Sequence, residues 1–312
     1  MSRRLLGLGV LLGKRVLWML LTLWVVFTIT WVLMRLVPGG PYSAEKKVPP
    51  AIQRNLEARF RMNEPILVQY SSQLWDALRG DLRISMKLED YSVNEIIAQG
   101  FPVSASLGIF ALSFALLFGT TAGVISAVRR NSLYDYSFMA AATLGIAVPN
   151  FVLAGLAILL IVFQWHLLPP AGWGSRAHIW LPALCLAAPY TAYVARLTRA
   201  GMLEVLNLDY IRTAYAKGLS PRTVIVKHAL RGALLPVVSY IGPAAAGILT
   251  GSLVLERIFN IPGMGSHFIE AASQRDYTLA MGIVLVSTIL VYVMNMLVDL
   301  SYAVIDPRVK VE

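Results

Sequence analysis

The sequence predicts an all-α integral membrane protein, and three observations support this fold class. First, 57% of the 312 residues are hydrophobic and only 14% are charged, whereas soluble domains carry about 25% charged residues. Second, long runs without a charged side chain recur along the chain. Third, basic residues concentrate in one of the segments that separate these runs. Together these features exclude a soluble fold.

Six uncharged runs are predicted to span the membrane. A helix rises 1.5 Å per residue, so runs of this length suit a hydrocarbon core of about 30 Å. The predicted spans are residues 16–34, 100–128, 136–164, 179–195, 232–255 and 277–298. In the third run, Pro149 and Asn150 would interrupt backbone hydrogen bonding, which lipid does not tolerate. That face is therefore expected to lie in the interior of the helix bundle.

Charge predicts the orientation of the chain. Basic residues before the first span place the N-terminus in the cytoplasm; they are Arg3, Arg4, Lys14 and Arg15. The first run is too long for the apolar region of a cleaved signal peptide, so it is expected to be a retained span. Six spans then return the C-terminus to the cytoplasm.

Residues 38–100 are predicted to form a small external subdomain. They contain eight basic and eight acidic residues, without the basic excess of a cytoplasmic loop. Helical spacing of apolar residues predicts helices over 49–61 and 65–78. Ser92 and Glu95 form a capping-box pattern that predicts a short helix ending near Phe101 and Pro102.

The strongest basic excess lies in residues 196–231, called here the basic segment. Two acidic residues, Glu204 and Asp209, accompany seven basic residues, and the excess places the segment in the cytoplasm. The basic residues are Arg196, Arg199, Arg212, Lys217, Arg222, Lys227 and Arg231.

Local signals within the basic segment predict two short helices. Apolar spacing predicts the first over 210–217, and Gly218 follows as a C-terminal cap. Ser220 then supplies an N-cap and Pro221 the first helical position. Small residues such as Ala214 and Gly218 would permit close approach by another protein. From these residues alone, a helix that only anchors the chain at the membrane surface is equally compatible.

The basic segment resembles the cytoplasmic loop of bacterial ABC importer permeases. That loop has the pattern Glu-Ala-Ala, three residues, Gly, nine residues, an apolar residue, one residue, Leu-Pro. Aligned on Gly218, this sequence has Arg212 in place of the glutamate and Arg231 in place of the proline. Both departures match the peptide and nickel branch of the family, with its forms RTAxAKGL and HALRxALLP. Other segments support the same branch, most closely the B-type permease subunit of oligopeptide importers.

The resemblance implies a function and a set of partners. The chain would be a single permease domain over 1–312 in the bacterial inner membrane. It would form half of a pathway for peptides, with oligopeptides as the favoured cargo. Its partners would be a second permease, two ATPase subunits, an external solute-binding protein, membrane lipid and the peptide. The basic segment would be a coupling helix seated on the ATPase, through Arg212, Thr213, Ala214, Lys217, Gly218, Ser220 and Pro221.

Two further groups of residues are candidates for function. Polar residues at depth in a membrane usually face a passage or another helix, and both roles are open for Thr143, Asn150, Ser239 and Asn295. By resemblance, the loop after the fifth span would meet the binding protein, through Glu256, Phe259, Pro262, Gly263 and Gly265.

The sequence contains no signal for enzyme chemistry. It has no G-x-x-x-x-G-K-[ST] motif, so ATP and Mg²⁺ are expected on partner subunits and no cofactor on this chain. The four histidines lack metal-ligand spacing, and Cys185 is expected to be a small buried hydrophobe. The net charge of +10 is explained by topology and anionic lipid head groups rather than by nucleic acid.

Other functions remain alternatives at this stage. The same family includes dipeptide and nickel importers. A secondary transporter would need ionisable groups near the middle of the membrane, and the predicted spans are uncharged. A membrane scaffold or signalling subunit would produce no uptake defect on deletion.

Overall fold

The computed structural model describes residues 2–37, 55, 58–88, 90–249 and 252–305, with side chains from residue 13 to residue 297. Contacts between residues divide the chain into two compact units. Unit 1 comprises Met1–Val103 with Pro262–Glu312, and unit 2 comprises Ser104–Ile261. The helix Val93–Val128 contributes to both units.

Unit 1 consists of the two ends of the chain and the predicted external region. Its helices, including the first part of α3, are α1 (Ser2–Leu36), α2 (Ile66–Leu78), α3 (Val93–Val128), α12 (Met264–Gln274) and α13 (Tyr277–Ile305). The helix predicted over 65–78 is thus confirmed as α2. Most of the helix predicted over 49–61 lies outside the described residues.

Aromatic residues pack α1 against α2 in unit 1. Tyr70 meets Phe27 and Trp31 edge-on, with ring centroids 5.6 and 5.3 Å apart. The hydroxyl of Tyr70 also lies 2.8 Å from Oγ1 of Thr28. Phe27 and Trp31 share a buried cluster with Met281 of α13. This cluster connects the first and last long helices of the chain.

A buried carboxylate holds the segment before α3 against the start of α13. Asp276 is 1% exposed and accepts hydrogen bonds from the backbone N–H groups of Met86 at 3.2 Å and Lys87 at 3.3 Å. Ser85 donates its hydroxyl to the same carboxylate. The N–H of Leu279 donates at 3.0 Å, which makes Asp276 the N-cap of α13.

The capping box at the start of α3 is confirmed. The N–H of Ser92 donates to the Glu95 carboxylate at 2.9 Å, and the N–H of Glu95 donates to Oγ of Ser92 at 3.2 Å. The predicted end of this helix near Pro102 is wrong, because α3 continues to Val128. Proline removes one backbone donor yet keeps a helical φ, so packing can carry a helix through it.

Unit 2 contains the remaining helices, and α6 contacts most of them. In chain order they are α4 (Leu133–Ala147), α5 (Asn150–Ala157) with the π-helix π1 (Ile158–Gln164), α6 (Ala177–Val205), α7 (Asp209–Ala216), α8 (Pro221–Thr223) with π2 (Val224–Ala229), α9 (Leu230–Ala233), α10 (Leu235–Leu249) and α11 (Leu253–Ile258).

The third predicted span is not one straight helix. Leu133–Ala147 and Asn150–Gln164 meet at an angle of 108°. Val148 is extended, with φ −88° and ψ 123°, as expected for a residue that precedes proline. Pro149 therefore ends α4 and precedes α5, and the interruption predicted at Pro149 and Asn150 is a sharp bend.

Length and composition identify fewer spans than the six predicted. Among the described residues, four helical stretches meet the criterion, and the bent pair would be a fifth. They are Gly13–Leu36, Val93–Val128, Leu235–Ile258 and Tyr277–Leu297. The fourth predicted span lies on α6, which is not among them. Pro182, Pro189 and several polar residues make α6 less apolar than the other long helices.

We expect Asp276→Asn to loosen the segment around Lys87. The amide nitrogen cannot accept from the N–H groups that the carboxylate binds, and an unsatisfied buried donor costs about 1–3 kcal/mol. Cleavage by trypsin after Lys87 should accelerate about tenfold, because proteolysis follows the population of the open form. Mass spectrometry of timed digests measures the rate.

Asp90→Asn is the matched control, since Asp90 is an exposed acid in the same segment. Equal cleavage rates for the two variants would contradict the structural role of Asp276.

Candidate functional site

The two helices predicted in the basic segment are present, and residues 209–223 are called the two-helix segment. Its first helix, α7, covers Asp209–Ala216. Ile211 and Ala214 form the buried side of α7, at 1% and 6% exposure. The other side chains of α7 are exposed. The helix thus presents a surface of polar side chains and two tyrosines, Tyr210 and Tyr215, and two apolar residues hold its other side.

Gly218 ends α7 in a complete Schellman motif. Its φ is +77°, a left-handed conformation that glycine adopts without steric cost. The N–H of Gly218 donates to the carbonyl of Tyr215 at 2.9 Å, and the N–H of Leu219 donates to that of Ala214 at 3.3 Å. These two bonds satisfy carbonyl groups at the helix end. The cap predicted at Gly218 is confirmed.

Ser220 and Pro221 begin the second helix, as predicted. The hydroxyl of Ser220 accepts from the N–H of Thr223 at 3.4 Å, and Pro221 occupies the first helical position. The α-helical part is short, and the chain continues through π2 into α9. The turn between the helices therefore consists of Lys217, Gly218, Leu219 and Ser220, all exposed.

A compact apolar cluster anchors the two-helix segment within unit 2. Ile211 and Ala214 pack with residues of α6 and with those of α3, π2 and α9. The buried members are Ala127, Met202, Val205, Ile211, Ala214, Val224, Ala229 and Ala233. Four of the eight are alanines, so the surrounding backbones approach closely.

The closest approach in this region is between α6 and α9. A Cβ atom on Gly201 would lie 2.3 Å from the carbonyl oxygen of Ala233 and within 3.2 Å of two further backbone atoms of Ala233. Only glycine fits α6 at that position. Movement of α9 relative to α6 is therefore restricted by backbone contact.

The exposed surface of the two-helix segment contains six of the seven predicted coupling residues. They are Arg212, Thr213, Lys217, Gly218, Ser220 and Pro221. Arg212 lies 3.3 Å from Asp209, but both side chains are largely exposed, so the pair adds little stability. Ala214 differs from the prediction: it is buried against its own chain, because Ile211 and Ala214 share the face of α7 that packs on α6. It supports the surface and is not part of it.

The four residues predicted to line a passage lie on four different helices. Thr143 accepts a hydrogen bond from Arg196 at 2.8 Å, and Ser239 donates to the carbonyl of Leu235 at 3.0 Å. Thr143, Ser239 and Asn295 are exposed in this chain, and Asn150 is half-buried at the start of α5. Asn295 belongs to unit 1 and the other three to unit 2. Their role in a passage stays a prediction.

The predicted contacts for a binding protein are mostly buried. Glu256 is 0% exposed and Phe259 is 1% exposed, and Gly263 and Gly265 are buried as well. Ser104 donates its hydroxyl to Glu256 at 2.8 Å, which explains how a carboxyl group can be buried there. Of the five predicted residues, Pro262 alone is exposed. Arg257 and Asn260, which were not among the predicted residues, are exposed.

Sequence reasoning missed an ion pair between a buried acid of α4 and a partly exposed arginine of α6. Asp135, at the start of α4, is 2% exposed and binds Arg199 of α6, with Nε to Oδ1 at 2.8 Å and Nη2 to Oδ2 at 2.8 Å. Arg199 was interpreted only as part of the basic excess. A lone acid five residues after Arg130, at the start of an apolar run, was the available signal.

Two solved structures of ABC transporters share the fold of this chain. The inward-facing methionine ABC transporter MetNI matches at a TM-score of 0.56 and 17% identity, covering 68% of this chain and 96% of that chain. An amino acid ABC transporter solved with histidines matches at 0.54 and 15%, covering 67% and 93%. The fold is therefore that of an ABC transporter membrane subunit.

The chain belongs to the family of binding-protein-dependent transport system inner membrane components, whose model matches residues 119–311. The dipeptide transport system permease protein DppB of Bacillus subtilis is 46% identical, over 95% of this chain and 96% of its own. The oligopeptide transport system permease protein OppB of Escherichia coli K12 is 44% identical, over 93% and 95%. These relatives are transport permease subunits.

Gly201→Ala should destabilise unit 2, although alanine is the better helix former. The new methyl group would press on the Ala233 backbone, and such overpacking costs about 1–3 kcal/mol. Gly232→Ala is the matched control, because its Cβ would lie 3.4 Å from Cγ2 of Val205 in ordinary contact. It should be neutral or stabilising by up to about 1 kcal/mol.

Apparent unfolding temperatures of the detergent-solubilised variants measure the difference. A Gly201→Ala protein as stable as the Gly232→Ala protein would show that the α6 and α9 backbones separate at little cost.

Proposed function

We propose that this chain is one of two permease subunits of an ATP-driven importer of peptides in the bacterial inner membrane. The observation that carries the proposal is similarity over almost the whole chain to relatives named as dipeptide and oligopeptide permeases, at 46% and 44% identity. Because the aligned regions cover 95% and 93% of this chain, they include most of residues 1–118, which the family model does not match. We favour oligopeptides as the cargo, with dipeptides or nickel as alternatives.

The proposed mechanism is alternating access driven by an ATPase that this chain does not contain. The two-helix segment faces the cytoplasm, as do both chain termini, and its exposed turn sits in a groove of one of two ATPase subunits. ATP and Mg²⁺ bind to the ATPase subunits and not to this chain. Closure of the ATPase pair displaces the segment, and its packing on α6 transmits the displacement to the helices of unit 2 as a rigid-body movement.

The remaining partners complete the pathway. A second permease, either a related chain or a second copy, provides the other half, and an external solute-binding protein delivers the peptide. In unit 2, the exposed side chains of Arg257, Ile258 and Asn260 would be available to that protein, and in unit 1 that of Pro262. No nucleic acid takes part.

Deletion of the gene should abolish peptide uptake and leave nickel uptake unchanged. Competition between labelled tripeptide and unlabelled di-, tri- and oligopeptides, measured before deletion and after complementation, defines the range of cargo. Undiminished peptide uptake in the deletion strain would overturn the proposed function. Loss of nickel uptake alone would replace peptide by nickel as the cargo.

Gly218→Val should weaken attachment of the ATPase and reduce uptake, while insertion in the membrane stays normal. A left-handed conformation costs a residue with a Cβ about 1–2 kcal/mol, and a β-branched residue is the least tolerant. A Cβ at Gly218 has nothing within 4 Å, so the effect would come from the backbone and not from a clash.

Gly218→Asn is the control, because asparagine tolerates the left-handed region. Co-purification of the ATPase and uptake should fall about tenfold for valine and much less for asparagine. If both variants retain the ATPase and transport normally, the turn at Gly218 is not the coupling element.

A further inference from the structure

Asp135 and Arg199 form the centre of a hydrogen-bonded cluster that joins three elements of unit 2. Besides the two bonds from Arg199, the Asp135 carboxylate accepts the N–H of Asn131 at 3.0 Å and the hydroxyl of Ser126, near the end of α3. Nε of Arg199 also lies 3.1 Å from Oγ of Ser126. The cluster therefore ties the end of α3 and the start of α4 to α6 at Arg199.

This ion pair has two contacts, one from each of two Arg199 nitrogens to each Asp135 oxygen. An arginine that binds both oxygens of one carboxylate fixes the relative orientation of the two groups as well as their distance. Replacing a largely buried ion pair by apolar residues is often neutral or stabilising, so the pair is weak evidence for a gain in stability. What it does supply is a defined geometry between α4 and α6.

The position of the pair connects the two-helix segment to the bend. Arg199 precedes Gly201, where α9 crosses α6, and Met202, which packs in the cluster beneath α7. Asp135 begins α4, whose other end is the 108° bend to α5. Arg196 adds a second connection, through its hydrogen bond to Thr143 on α4.

We propose that Asp135 and Arg199 are positioning residues that make α4 and α6 move as one body. Displacement of the two-helix segment then reaches the bent pair α4 and α5 and is not lost at the α4–α6 contact. This inference rests on the proposed function for the source of the movement. A role for Asp135 as a proton carrier is not supported, because arginine and backbone donors occupy its oxygens.

The first test measures transport and ATP hydrolysis in the same proteoliposomes, prepared from the complete transporter. Asp135→Asn should assemble and hydrolyse ATP, with the peptide transported per ATP reduced at least about fivefold. Arg199→Lys keeps the charge but loses the two-pronged contact, and its ratio should be intermediate. Arg130→Gln and Glu204→Gln, exposed charges near the cluster, should keep the normal ratio.

A purely structural role would lower the amount of assembled transporter and leave the ratio unchanged. That result for Asp135→Asn or Arg199→Lys overturns the inference.

The second test needs no change to the ion pair, so it gives a result even if both variants fail to assemble. Spin labels are attached to cysteines introduced by Ser137→Cys on α4 and Ala200→Cys on α6, both exposed positions. Cys185→Ala removes the native cysteine from the same chain. The distance between the two labels should stay within about 2 Å between the nucleotide-free and ATP-trapped states. A larger change overturns the inference, whereas failure of the unmodified transporter to import peptide overturns the proposed function alone.

Discussion

Close packing of backbones around α6 is the constraint on which unit 2 depends. A Cβ on Gly119 would lie 2.7 Å from the carbonyl oxygen of Thr191, and one on Gly123 would lie 2.6 Å from that of Ala195. On α6 itself, Gly201 permits the equivalent contact with Ala233. Helices in lipid gain little from hydrophobic burial against one another, so they depend on such small residues for van der Waals contact. Backbone contacts thereby hold α6 against both α3 and α9.

Buried acids show how the same chain accommodates charge. Asp135 is neutralised by Arg199, whereas Asp276 is held by backbone N–H groups and the hydroxyls of Ser85 and Thr278. Glu256 accepts from Ser104. Each of these acids lies beside a loop or a helix end, where free N–H groups are available. The long apolar helices between these sites are left without acidic side chains in their described middle portions.

Local rules predicted much of the candidate site. The cap at Gly218, the N-cap at Ser220 and the capping box at Ser92 depend on residues within a few positions of one another, and all three are confirmed. The burial of Ala214 and Glu256 was not predicted, because it depends on which helix lies opposite. The pairing of Asp135 with Arg199 joins residues far apart in sequence, and spacing alone cannot predict such a contact. The bend at Pro149 was located, but its angle depends on packing.

The π-helix π2 affects how many residues the chain needs between Gly218 and α10. Its hydrogen bonds skip one residue more than those of an α-helix, as shown by the N–H of Leu230, which donates to the carbonyl of Ile225. A single residue added to an α-helix rotates everything beyond it by about 100°, because each turn contains 3.6 residues. A wide turn absorbs that residue locally. The path from Gly218 to α10 can thus lose one residue at π2, by conversion of the wide turn to an α-helical turn, while the buried faces on both sides keep their register.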